Sequence, residues 1–127
     1  MQVTVSPRLT KKSKRVTQFA QELLVRKIER AIDTLEDPDV VPVDTGAYAK
    51  SLTLNRRGDS SGPAISSSRK ERGVDPNPVL NEMADRLYSQ LENIDPLEGA
   101  SFVNRAPHSR KVENRYATFE VLRSVLR

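Results

Sequence analysis

The residue types that carry out chemistry are thinly spread along this chain. Its single histidine is His108, and it has no cysteine. Without cysteine there is no thiol nucleophile, no disulfide scaffold and no Cys-ligated zinc or iron–sulfur centre. One histidine alone cannot form a His-x-x-x-His zinc pair. A serine–histidine–acid triad needs no sequence neighbours, and a small hydrolase using His108 and an acid is the enzymatic alternative. Yet no serine stands in a Gly-x-Ser-x-Gly elbow. The five glycines form neither a Walker A loop nor a Gly-x-Gly-x-x-Gly turn. Carboxylates cluster at Glu36, Asp37 and Asp39 and again at Asp95 and Glu98. Both groups border prolines and helix ends, where acids cap and solvate turns, so neither reads as a metal or nuclease centre. The Arg57-Gly58-Asp59 tripeptide is ordinary loop composition. The expectation is a protein that is not an enzyme, with no catalytic, metal or cofactor-binding residues.

Composition narrows the class further. At 127 residues the chain fits one domain, and with 36 % apolar and 5 % aromatic residues its core is modest. A small core beneath 30 % charged residues suits a protein that completes its burial against copies of itself or a partner. No apolar run approaches the roughly 20 residues of a membrane span, and the basic N-terminus lacks the apolar stretch of a secretory signal. We expect no membrane association and synthesis in the cytoplasm. The net charge of +4 is unevenly placed. Residues 1–15 carry five cations and no acid, residues 16–104 ten cations against fifteen acids, and residues 105–127 six cations against two acids. Basic ends around an acidic middle suit phosphate contact. A small nucleic-acid-binding regulator using the N-terminal arm is therefore the alternative function, although no aromatic residues interleave the arm's cations as in stacking platforms.

The elements that must position any site follow from periodicity. Residues 1–12 read as an extended basic arm and 13–127 as a single domain, with Ser13 a candidate helix cap. Val16, Phe19, Ala20, Leu23, Leu24, Ile28, Ala31, Ile32 and Leu35 recur at steps of three and four, one helical face about five turns long. Asp37-Pro38 ends it. Residues 51–55 alternate as a strand, 56–63 are a loop, and 64–68 a weak second strand, with 60–68 expected to be mobile. A second helix begins at Pro78 or Val79, runs through Leu80, Met83, Ala84, Leu87, Leu91 and Ile94, and stops before Asp95-Pro96. A Gly turn leads into a short strand around Phe102 and Val103. Residues 105–107 open a short helix or turn, and a C-terminal helix starts near Asn114. Helix, strands, helix, strand, helix is an α+β order, with a long N-terminal helix packed on a small, mostly antiparallel sheet and further helices.

Two segments stand out against this frame. Pro42-Val43-Asp44-Thr45-Gly46 joins the long helix to the first strand and continues as Ala47-Tyr48-x-x-Ser51-Leu52. Asp44 or Thr45 can cap a short helical turn, and Gly46 permits φ > 0 or a close approach. Some sixty residues later, Phe102-Val-Asn104-Arg-Ala-Pro107-His108 leads to Glu113. Asn104 can end a strand by bonding its own backbone, Pro107 suits a first helical turn, and Glu113 could face a cation on this or an adjacent subunit.

The first segment resembles the Pro-x-Asp-Thr-Gly-x-Leu-Arg-x-Ser signature of small bacteriophage tail-component or tail-completion proteins, the neck proteins of the head–tail junction. The second is similar to that family's Val-x-Asn-x-Ala-Pro-Tyr-Ala-x-x-Val-Glu-x-Gly block, at Val103, Asn104, Ala106, Pro107, Val112 and Glu113. His108 stands where the family usually has Tyr, and Glu113-Asn114-Arg115 replaces Glu-x-Gly. The resemblance covers most of residues 13–127. It implies a tail-completion or tail-terminator-like fold and a structural virion protein. Such a subunit would form a homo-oligomeric ring, of six by the family's pattern, between the capsid connector or adaptor proteins and the tail proteins. Genomic DNA would pass through the lumen without sequence-specific binding. Asp44, Thr45, Gly46, Tyr48, Asn104, Pro107, His108 and Glu113 are then the candidate assembly residues.

Overall fold

The computed structural model describes residues 1–7, 14–44, 46–66 and 73–127, excepting the side chains of 14–16. In chain order the elements are β1 (Gln2–Val5), α1 (Lys14–Leu35), α2 (Ala47–Ser51), β2 (Leu52–Arg56), α3 (Pro76–Leu91), β3 (Ala100–Asn104), α4 (Ser109–Tyr116) and α5 (Thr118–Leu126). The three strands form one sheet in the order β1-β3-β2, antiparallel at both pairings, so the protein is α+β. The central strand β3 is buried along its whole length.

The pleat sorts the sheet into two faces. Val3 and Val5 lie opposite Phe102 and Ala100, and Leu54 lies opposite Phe102 from the other side. These residues point into the hydrophobic core. Ser101, Val103 and Thr53 point the other way and are buried too. Chain from the 57–66 loop accounts for that. The Gly58 N–H donates to Ser101 Oγ (2.9 Å), the Ile65 N–H donates to Ser51 Oγ (3.0 Å), and Asn55 Nδ2 donates to the carbonyls of Asp59 (2.9 Å) and Ser61 (2.6 Å). The stretch expected to be mobile is held by these bonds at Asp59, Ser61 and Ile65, and 61–66 forms no strand. Residues 67 and 68 lie outside the described residues.

Helices cover the core face. α3 packs against β2, α5 against β1, and α1 against α3 and α5, all around one hydrophobic core. The buried stripe of α1 is Ala20, Leu24, Ile28, Ala31, Ile32 and Leu35. Phe19 and Leu23, expected on that face, are exposed. Asp37 closes the turn after the helix: its Oδ1 accepts from the Asp39 N–H (2.8 Å) and its carbonyl from the Val40 and Val41 N–H groups (2.9 Å each). α3 begins two residues before the expected start, with Asp75 as its cap accepting from the Asn77 N–H (3.1 Å).

Two sequence expectations are corrected. Residues 2–5, read as part of an extended arm, are the strand β1, and the Met1 carbonyl continues the ladder by accepting from the Asn104 N–H (2.9 Å). Alternation over only Val3 and Val5 is too brief a signal to identify a strand whose partner lies about a hundred residues away. Residues 8–12 of the arm lie outside the described residues. The C-terminal helix is two helices, α4 and α5, broken at Ala117, which has φ 53°.

α1 and α3 are also tied by a polar contact. The Tyr88 hydroxyl donates to Asp33 Oδ1 at 2.5 Å. That bond, then partial burial and the charges of Asp33, Glu29 and Glu36, push the Tyr88 pKa up to about 12. The raised value stabilises the neutral phenol, so the contribution is complete below the ordinary tyrosine value and fades as pH climbs through 12. We expect Tyr88→Phe to lower the unfolding midpoint near neutral pH, and the gap from the wild type to close between about pH 10 and pH 12. Denaturant melts across that range measure it, and a gap that stays constant contradicts the assignment.

Candidate functional site

The corner between α1 and β2 is built around a helix too short to satisfy itself. α2 has five residues, and Ala47, Tyr48, Ala49 and Ser51 are buried. The last carbonyls of any helix lack partners within it, and a buried end cannot hand them to water. Two distant side chains take them up here. Asn104 Nδ2 donates to the Tyr48 carbonyl at 2.9 Å. Arg86 Nη2, from α3, donates to the carbonyls of Ala49 (2.7 Å) and Leu52 (3.0 Å). A guanidinium there also complements the negative end of the helix dipole. Burial lowers the Arg86 pKa, but the group remains a cation at any physiological pH.

The entry to α2 is set by Gly46, at φ 82°. A Cβ there would meet Lys50 Cε and Val79 Cγ1 at 3.6 Å, ordinary contacts. Backbone conformation, not crowding, is therefore what requires glycine. Gly46 also occupies the cap position expected of Asp44 or Thr45, and no side chain caps the helix. Asp44 binds elsewhere: its Oδ1 accepts from the Gly73 N–H (3.2 Å) and its carbonyl from the Val74 N–H (3.1 Å), fastening the corner to the approach of α3. Thr45 lies outside the described residues.

The second motif folds onto the first through Asn104. While its Nδ2 holds Tyr48, its Oδ1 accepts from the Ala106 N–H (2.9 Å), the self-bonded strand end expected from the sequence. The Ser109 N–H then donates to the Ala106 carbonyl (3.0 Å), placing Pro107 second in a tight turn ahead of α4 instead of in its first helical turn. His108 is the residue before α4, and its ring lies 6.2 Å from that of Tyr48, centre to centre. Among the described residues no serine or carboxylate is hydrogen-bonded to its imidazole, so the geometry of a triad is not assembled there.

Among the described residues, Glu113 is turned to backbone amides. Its Oε2 accepts from the Phe119 N–H (2.8 Å) and its Oε1 from the Glu120 N–H (3.2 Å), capping α5 from one helix earlier. This reach across the break explains how the chain tolerates a left-handed alanine at 117.

These pieces surround an open pocket of about 230 Å³. Pro42, Asp44, Gly46 and Tyr48 line it from the first segment, and His108, Lys111, Val112, Arg115 and Tyr116 from the second. Tyr48 is almost fully buried, and among the described residues its hydroxyl oxygen meets no partner at hydrogen-bonding geometry. Thr118 is close enough to influence it, yet Thr118 Oγ1 already donates to the Val40 carbonyl (2.6 Å). Burial, with the Glu113 charge adding to it, pushes the Tyr48 pKa far above the ordinary tyrosine value, so this phenol is neutral and no base. Among the described residues no group of three His, Cys, Asp or Glu side chains is arranged to hold a metal ion. Aromatic walls with Lys111 and Arg115 at the rim suit the seating of an apolar group beside an anion.

Sequence reasoning missed Arg86, which reads as one more surface cation of α3; its place next to the apolar positions Met83 and Leu87 was the only hint. It also missed Lys111, Arg115 and Tyr116. The chain matches no family model, no curated protein and no solved structure.

The polar contacts of the corner differ in what their loss should do. Asn104→Ala strands a buried carbonyl and a buried N–H, and we expect a loss of roughly 2–4 kcal/mol in denaturant unfolding. Tyr48→Phe removes a hydroxyl without a partner and should leave stability unchanged or slightly higher. A comparable loss in both variants contradicts this account. Glu113→Ala uncaps α5 and should cost roughly 0.5–2 kcal/mol, measured in the same way.

Proposed function

We propose that this chain is a structural virion protein of the phage neck, a ring-forming tail-completion or head–tail joining subunit between the capsid connector and the tail. It is made in the host cytoplasm, carries no catalytic site, and lets the genome pass through its lumen. The observation that carries this reading is the Asn104 side chain, which bonds both the Tyr48 carbonyl of the first motif and the Ala106 N–H of the second. The two segments that resemble neck proteins, far apart in sequence, are thereby parts of one corner. That is what a motif pair preserving scaffold geometry requires. The residues within the corner are held by backbone bonds and burial, and the groups around it that remain accessible are suited to contact.

The finer fold assignment, tail-completion or tail-terminator-like, belongs to the same proposal. It is supported by the order of long helix, glycine corner, antiparallel sheet and C-terminal helices. The test is an electron-microscopy map of the assembled particle with this chain located in it. We expect a ring at the head–tail junction, and a position elsewhere overturns the reading. Gly46→Val forces a β-branched residue into the left-handed region. It should reduce completed particles far more than the exposed change Arg57→Ala, with infectious titre as the measure; equal titres contradict the role of the corner.

A further inference from the structure

α4 turns its acid inward and its cations outward. Arg110, Lys111, Asn114 and Arg115 are exposed, and at about 100° per residue they share one side of the helix, within about 140° of arc. Glu113 lies outside that arc and is half-buried, with both carboxylate oxygens taken by the Phe119 and Glu120 N–H groups of α5. Among the described residues the ion pair is that of Arg123 with Glu120, which leaves Arg110, Lys111 and Arg115 unpaired. Arg105, also exposed, stands in the turn before the helix. Asp44 lines the pocket beside Lys111 and Arg115 and offsets part of their charge, while its Oδ1 accepts from the Gly73 N–H. With Asp44 and Glu113 both counted, four cations still stand against two acids here.

The make-up of this face selects its occupant. Two guanidiniums, an ammonium and an amide are the groups that contact phosphate oxygens. No apolar residue stands among them, since Val112 is buried and Tyr116 projects from the opposite side of the helix. A protein partner needs an apolar or aromatic centre poor in charge, and this face has none. A single-stranded nucleic acid needs rings on which its bases stack, and the face lacks those too. The backbone of a duplex needs neither. It asks for cations at short intervals, and Lys111 and Arg115 follow one another at about 6 Å along the helix axis.

We infer that this face of α4 contacts the phosphate backbone of duplex DNA without regard to sequence. Arg110, Lys111 and Arg115 meet phosphates, and Asn114 donates between them. A contact of three cations is weak at ordinary salt and lets a duplex slide. The inference deepens the neck reading and rests on it only for the source of the duplex, the genome in transit. On that reading α4 is the element turned toward the channel.

The test is the affinity of the full chain for short labelled duplexes of two unrelated sequences, measured by fluorescence anisotropy over a series of salt concentrations. We expect equal affinity for both sequences. The triple variant Arg110→Gln, Lys111→Gln, Arg115→Gln should bind about ten-fold more weakly at low salt, and the slope of log affinity against log salt should flatten by roughly 2 to 3. A control triple, Arg26→Gln, Arg30→Gln, Arg57→Gln, removes the same charge from other exposed positions and should change the slope by well under one. Circular dichroism establishes that both variants are folded. Absence of duplex binding at low salt overturns the inference, as does an unchanged slope in the α4 variant. Equal losses in the two triples overturn it too, because net charge would then account for the binding. So does polyglutamate bound as tightly through the same three residues, which would make the face an acceptor of acidic protein. Binding that depends on α4, in a chain mapped away from the head–tail junction, keeps this contact and sinks the neck reading. A ring at the junction without such binding does the reverse.

Discussion

A one-turn helix buried at a chain reversal creates a debt of unpaired carbonyls, and the way that debt is met organises the rest of this molecule. The Tyr48 carbonyl of α2 and the Leu52 carbonyl at the start of β2 both lie in buried residues and take side-chain partners. The partners arrive from the centre of the sheet, as Asn104, and from α3, as Arg86. Each fixes an element. Asn104 sets the end of β3 and the turn into α4, and Arg86 sets the rotation of α3 about its own axis. That rotation also aims Gln90, one turn on, at the outer edge of β2, where its Oε1 accepts the Leu54 N–H (2.8 Å). The strand edge is thereby covered by the same helix that anchors the corner.

How much of this was legible beforehand depends on the kind of signal. α1, α3, β2 and β3 each carry a local pattern, apolar spacing or a turn residue, and were readable to within a few positions. Gly46 and Asn104 were readable because their roles are written in their own backbones: a positive φ and a self-bonded strand end. Arg86 and Glu113 were not, since each acts on a backbone some distance away, and nothing about an arginine or glutamate in a helix says which carbonyl or amide it will meet. The break at Ala117 was invisible for the same reason. No glycine or proline marks it, and what sustains it is a carboxylate four residues earlier. Phe19 and Leu23 show the converse error, in which a periodicity was legible but its use was not.

The candidate residues divide along the same line. Gly46, Tyr48 and Asn104 are occupied in making the corner, and their neighbours His108, Lys111, Arg115 and Tyr116 present what the corner makes. A pocket whose inner residues are structural and whose rim is accessible is shaped from within, so changes at the inner positions act on it through geometry, and changes at the rim alter its surface directly.

The strand order has a consequence for how the chain reaches this state. Among the described residues β1 and β2 each pair only with β3, and the Thr4 hydroxyl meets Ser101 across 97 positions of sequence. Neither edge strand has a partner until the central one exists. β1 must therefore wait, unpaired, until β3, about a hundred residues later, has been synthesised. Closing so long a loop carries an entropic toll that local helices do not face. The helices can form early, and the sheet that joins them belongs to the last act of folding.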